Sequence, residues 1–199
     1  AELPTSMARV ERRMGEVPRM ILMLPAPAAG EADHAAVALL SSVLGDGRAS
    51  RLQRALVDEG ELCSAMSAVV SRNLDRGYLA ISAELVPGVE PAQVEQVLFD
   101  QLEAVRREVL PPAELERARR VHLADWVFDH ERIHQQALAA GFGVAFFDLE
   151  HAERELRRTL ELSAEELQAA ARRWLDPERG SVLGWSLPRG SEPEAPGEP

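Results

Sequence analysis

Apolar residues recur along this chain with two different periods, and the switches between them outline its elements. Two short apolar-rich runs come first, at 8–14 and 19–24 ("RMILML"), followed by Pro25 and Pro27. Their length and proline boundaries predict strands. From Glu31 to Leu44 alanine and leucine dominate and Asp33 is placed to cap, so a helix is expected. "GDGRAS" (45–50) breaks it, and a second short helix starts with Ser50 as its cap and stops at Gly60. The period then changes. "CSAMSAVVSRN" and "GYLAISAELV", separated by "LDRG", read as neighbouring antiparallel strands. Residues 91–109 turn helical, with Val94, Val97, Leu98, Leu102 and Val105 on one stripe. After Pro111 and Pro112 a long helix is expected from about 113 to 140, halting at Gly141, and a further helical stretch over 144–160 with a break near Phe147. Ser163-x-x-Glu166 is a capping box that opens a last helix to about Leu175. "SVLGWSLP" is a final strand.

The predicted order is β-β-α-α-β-β-α-α-α-α-β. Strands joined by tight turns and mixed with helices imply an α+β fold of two layers, an antiparallel-rich sheet with helices packed on one face. Neither a repeat nor a linker interrupts the pattern, so residues 1–188 are expected to form one domain. The polar, proline-rich tail at 189–199 is expected to be disordered.

Composition narrows the function classes. A net charge of −11 argues against a basic footprint for nucleic acid. No apolar run approaches the ~20 residues of a membrane span. A single cysteine, Cys63, is read as a core residue at a strand start and rules out a disulfide within the chain or a four-cysteine metal site. All 22 basic residues are arginine, which removes Schiff-base and P-loop lysines. The opening "AELPTSM" carries no initiator Met and reads as part of something longer. The compartment is left open, with bacterial periplasm and cytoplasm both compatible.

One stretch carries a chemical signature. His130-Glu131-Arg132-Ile133-His134 is an H-E-x-x-H pattern. On a helix it places two imidazoles on one face, one turn apart, beside a carboxylate that can polarise a zinc-bound water. A third ligand is then required. Glu150, Glu153 and Glu155 stand 16, 19 and 21 residues beyond His134, whereas Ala137 and Ala140 occupy the places of the Gly and third His in the three-histidine version. The opposing reading is chance. On the expected helix, Leu115, Trp126, Ile133 and Ala137 mark an apolar face with His130 at its edge, a common place for a half-buried histidine. The weaker candidates have ordinary explanations. His34 and His151 are lone histidines expected at the surface, and Ser50 and Ser64 lack a visible His/Asp partner. Gly45-x-Gly47 is too short for a dinucleotide loop. Phe142, Phe146 and Phe147 suggest a packed corner, and the arginines at 117–120 and 172–173 solvated helix faces.

Several stretches stand in a telling order: the helix Leu39 to Leu44, the turn Gly45-Asp46-Gly47, Ser50-Arg51-Leu52 with Leu56, the run "PPAELERARRVHLADWVF", and the close "LSAEELQAAARRWLDPERGSVLGWSLP". Together they resemble the pitrilysin/insulinase family of zinc peptidases. The resemblance covers residues 15 to 188. It implies repeated α+β domains that close like a clamshell around a peptide, one half holding zinc through H-x-x-E-H on its first long helix. Here the matching ligand positions fall near Ala38, Ser41 and Ser42, which cannot replace zinc-binding imidazoles. The resemblance therefore implies the metal-free half. An Arg and a Tyr that reach substrate in that half of many members match places near Val57 and Ser64, so that role is not carried over.

The expectation is a non-catalytic domain of an insulinase-like zinc metallopeptidase, forming one wall of a peptide-binding chamber opposite a zinc-bearing half. No catalytic or metal-binding residue is assigned to this chain, and zinc is expected in the partner half. The expected partners are that half, as a domain or subunit, and a peptide; the resemblance also admits a dimer. Two alternatives remain: an independent zinc peptidase using His130, Glu131 and His134, and a scaffold without a peptidase partner.

Overall fold

A computed structural model describes residues 6–189 of the chain. The expected disordered tail falls outside the described residues from 190 onward. The elements in order are β1 (Ala8–Arg13), β2 (Arg19–Ala26), α1 (His34–Gly45), a π-helical stretch (Gln53–Asp58), β3 (Cys63–Val70), β4 (Gly77–Leu85), α2 (Pro91–Arg107), α3 (Pro112–Asp129), α4 (Ile133–Phe146), α5 (His151–Glu161), α6 (Ala164–Trp174) and β5 (Val182–Leu187).

The five strands form one sheet in the order β1-β5-β2-β4-β3. Every neighbouring pair is antiparallel except β1 with β5, which runs parallel from Ala8 opposite Val182 to Arg13 opposite Leu187. The fold is thus α+β with a mixed, mostly antiparallel sheet. Alternation decides the faces. Met20, Leu22 and Leu24 on β2, with Leu79, Ile81 and Ala83 on β4, point into the core, while Ile21 and Tyr78 stand on the open face. Among the described residues no helix is long and apolar enough to cross a membrane.

Helix α1 is buried along almost its whole length, through Val37, Leu39, Leu40, Val43 and Leu44. It begins at His34, three residues later than expected, because Asp33 does not cap it. The Asp33 carboxylate instead accepts hydrogen bonds from Trp174 Nε1 (2.8 Å) and Arg173 Nη1 (2.6 Å) of α6. Gly45 ends α1 where it crosses β3: a Cβ there would lie 2.6 Å from the Cβ of Ala68. In α2 the expected stripe holds, with Val94, Leu98, Leu102 and Val105 buried and a capping box between Glu90 and Gln93 at its start. The capping box of α6 also forms, Ser163 Oγ accepting from the Glu166 amide.

Two expected helices differ. The second short helix is mostly a π-helix, its last turn closed by the Glu59 amide donating to the Arg54 carbonyl, and buried Ser50 makes no side-chain cap. The long helix expected over 113–140 breaks at His130–Arg132 into α3 and α4. No proline or glycine lies there. His130 Nδ1 donates to the Trp126 carbonyl at 2.7 Å and its ring stacks on Trp126, centroids 3.9 Å apart. That local bond competes with the helical ladder, and the chain turns extended at Arg132. Beyond the break α4 stands off the core, and Gly143 is its only buried residue. The expected apolar face of one continuous helix therefore ends at Trp126, since Ile133 and Ala137 are exposed.

Candidate functional site

The break in the helix separates the parts of the H-E-x-x-H pattern. His130 terminates α3, His134 lies in the first turn of α4, and Glu131, Arg132, Ile133 and His134 are exposed. One nitrogen of His130 is already engaged by the Trp126 carbonyl. The shared helix face that the zinc chemistry needs is absent. Glu150 and Glu153 are exposed at the start of α5, and Glu155 turns to other partners.

A cleft of about 920 Å³ opens between α1 and α4. Its floor is Ala35, Ala38, Ser41 and Ser42 of α1; α3 contributes His122, Asp125, Trp126 and Asp129 as a wall. Leu138, Phe142 and Phe146 of α4 roof it, Ala68, Val69 and Val70 of the edge strand β3 form a rim, and His151, Glu155 and Thr159 of α5 close one end. Ala38, Ser41 and Ser42, near which the resemblance leads one to expect zinc ligands, line one surface, and methyl and hydroxyl groups do not fit a zinc ion. Among the described residues no group of three His, Cys, Asp or Glu is placed to hold a metal ion.

The surface placement expected for His34 and His151 is wrong. Both are buried, and Glu155 lies between them. His34 Nδ1 is 3.1 Å from Glu155 Oε1, and Nε2 is 3.3 Å from the Ser71 carbonyl oxygen, so both ring nitrogens face acceptors. His151 Nε2 is 3.9 Å from Glu155 Oε2, and its ring stacks on Phe147 with centroids 3.9 Å apart. Burial works against the charge of Glu155, but the His34 hydrogen bond and the positive charge of His34, His151 and Arg72 together hold its carboxyl below its ordinary value. Two residues 121 apart in sequence meet here, and no local pattern signals it.

The α3 wall behaves differently. Burial, then the nearby Arg72, lowers the affinity of His122 for a proton. Burial, then the nearby Asp46, pushes the Asp125 carboxyl above its ordinary value. His122, Asp125 and Asp129 stand at i, i+3 and i+7, one polar face of α3 that helical spacing does encode.

The remaining candidates fall into place. The phenylalanines cluster, Phe142 lying 5.1 Å from Phe146 and 5.9 Å from Phe147 between centroids, but at an exposed corner. Arg172 and Arg173 are exposed as expected; Arg117 and Arg119 are not solvated but half-buried, donating to the carbonyls of Asp46 and Leu162. Val57 is half-buried against the core, and exposed Ser64 donates to the Glu84 carbonyl at 3.3 Å. Cys63 is buried, and burial pushes its thiol up to about 11, which makes it inert at neutral pH.

Comparison with known proteins fits this geometry. The family model described as the peptidase M16 inactive domain matches residues 2–121. Coenzyme PQQ synthesis protein F of Pseudomonas aeruginosa is 32% identical over 174 residues, which is 86% of this chain. The chain spans 22% of the length of that relative. An inactive peptidase domain from Bordetella parapertussis superposes with a TM-score of 0.80 at 28% identity, over 93% of this chain and 98% of the other. A protease from Helicobacter pylori shares the fold, with a TM-score of 0.83 at 22% identity, over 93% of this chain and 45% of the other. Sequence match and fold agree: this chain belongs to the family of peptidase M16 inactive domains, among the pitrilysin/insulinase-like zinc proteases.

Proposed function

We propose that this chain is the non-catalytic wall of a peptide-binding chamber, closed by a homologous half that carries the zinc, its ligands and the glutamate base. The observation that carries the reading is the α1 surface. Where the family's catalytic helix presents metal ligands, this one presents Ala38, Ser41 and Ser42 to an open cleft. A wall of this kind needs shape and main-chain groups rather than reactive side chains. Among the described residues the sheet ends at β3, whose outer edge has no strand neighbour and can pair with an extended backbone. Residues 1–188 act in this reading as one domain, and the zinc-bearing half belongs either to the same polypeptide or to a companion subunit.

The test is reconstitution. Purified alone, the chain is expected to hold no stoichiometric zinc and to cleave no peptide. Mixed or co-expressed with a zinc-bearing half of the same family from the same genome, it is expected to raise peptide hydrolysis above that of the half alone. One zinc per isolated chain, with peptidase activity abolished by Glu131→Ala, would overturn the reading in favour of an independent enzyme.

A further inference from the structure

We propose that two copies of this chain dock reciprocally, the outer stripe of α4 in each lying on the open sheet face of the other. The pairing goes beyond the chamber reading and does not depend on it.

Helix α4 is apolar on two sides. Leu138, Phe142 and Phe146 turn toward the cleft. At about 100° per residue, Ile133, Ala137, Ala140 and Val144 form a second stripe on the opposite side. Ile133 is 83% exposed and Val144 66%. Over 133–147 no residue is Asp, Glu, Lys or Arg, in a chain where 28% of residues are charged. A solvated helix face carries such residues, and a helix apolar all round is a covered one. The sheet offers a matching surface, a trough of about 600 Å³ on its open face. The strand registers place Val10, Gly184, Ile21, Ser82 and Ser67 in one row across all five strands. Ile21 stands out of that row between glycine and serine. It fits the shallow middle of the α4 stripe, between Ala137 and Ala140, while the larger Ile133 and Val144 fit over the small residues beside it. Arg19 and Glu84 at the trough margin already pair with each other at 3.2 Å, so covering them strands neither charge. Arg12, outside any ion pair among the described residues, is left to meet exposed Glu131 or Glu150 at the ends of the incoming helix.

Both surfaces belong to one chain, and they meet at the edge strand. Val69 stands on the open face opposite Ala80, is 59% exposed, and also lines the cleft beneath α4. A two-fold axis beside β3 therefore lets each α4 reach across to the other copy's sheet, in an isologous contact. The lengths agree. The 14 residues of α4 span about 21 Å, and the 8 residues of β2 span about 26 Å. One helix on one face falls short of a standard interface, whereas the reciprocal pair reaches on the order of 800 Å² per copy. That arithmetic favours a closed dimer over a single docked helix. The net charge of −11 opposes association of two copies, so apolar burial drives it and added salt strengthens it.

The experiment uses the 199-residue chain in analytical ultracentrifugation from about 1 to 100 μM. The mass should approach twice 21.9 kDa at the upper end and rise no further. A helix variant, Ile133→Asp/Val144→Asp, and a sheet variant, Ile21→Asp or the milder Ile21→Ser, are made and checked for an unchanged circular dichroism spectrum. Each should raise the dimer dissociation constant about tenfold or more. Mixed, the two variants keep one intact contact, the helix of the sheet variant on the sheet of the helix variant. They should associate more tightly with each other than either does with itself. In dilute monomer the helix variant should unfold like the parent, because its stripe touches nothing within the chain. A chain that stays monomeric throughout, masses that keep growing with concentration, a dimer indifferent to either folded variant, or a mixture no tighter than its components would overturn the proposal. A monomer that restores hydrolysis to a zinc-bearing half would sink the pairing and keep the chamber; a dimer without such restoration would do the reverse.

Discussion

At the scale of single residues, the buried His34–Glu155 contact is the sharpest departure from what spacing suggests. It joins the first turn of α1 to α5, and neither partner has a polar neighbour in sequence that announces it. Glu155→Ala leaves His34 Nδ1 buried without its acceptor, so urea denaturation should show a loss of about 1–3 kcal/mol at an unchanged m-value. The same contact sets a pH dependence. The folded carboxyl titrates lower than in the unfolded chain, where the ordinary value is 4.5. Its contribution is therefore complete above 4.5 and lost as pH falls through the depressed folded value. Melting temperatures recorded from neutral to acid pH should drop less steeply in Glu155→Ala than in the parent. A second local contact was equally hidden. Arg51 Nε and Nη2 donate to the two oxygens of Glu114 at 2.7 and 2.8 Å, tying the turn before the π-helix to α3. Lysine cannot reproduce that fork, so Arg51→Lys should cost about 1–2 kcal/mol in the same denaturation assay.

At the scale of elements, legibility followed periodicity. The stripe of α2, the capping box of α6 and the β3–β4 pair are each written in a few adjacent residues, and each formed as expected. The helix break at His130 was not legible, because its cause is a ring stacked on Trp126 and a side-chain bond to a carbonyl rather than a proline or glycine. The π-helix was hidden for a similar reason: an extra residue per turn leaves no mark on composition. Of the candidate site, the α1 substitutions and the polar face of α3 were readable by position, but the cleft between them depends on where α4 stands and was not. Gly45 shows how a breaker in sequence becomes a contact in space. Gly45→Ala would press a methyl within 2.6 Å of Ala68 Cβ and 2.7 Å of Ala68 N, forcing α1 away from β3. The expected cost is about 1–3 kcal/mol, measured as a lowered denaturation midpoint.

At the scale of the whole molecule, stability and surface divide along the chain. The core gathers β2, β4, α1, α2 and α6, whereas α4 leaves Ile133, Leu138, Val144 and Phe146 open to solvent, Ile133 at 83%. Ile133→Ser should change unfolding free energy by no more than about 0.5 kcal/mol. Leu39→Ala, at a fully buried position of α1, should cost about 2–5 kcal/mol in the same titration. A comparable loss at Ile133 would mean that α4 packs in solution. The strand order carries a further consequence. β5 lies between β1 and β2, and among the described residues β1 pairs with no other strand. A ribosome must therefore release Val182–Leu187 before the first strand it made can find a neighbour. Until then residues 8–13 trail unpaired, and a nascent chain stopped short of Val182 forfeits the two strands at one end of the sheet while β2, β4 and β3 can still pair.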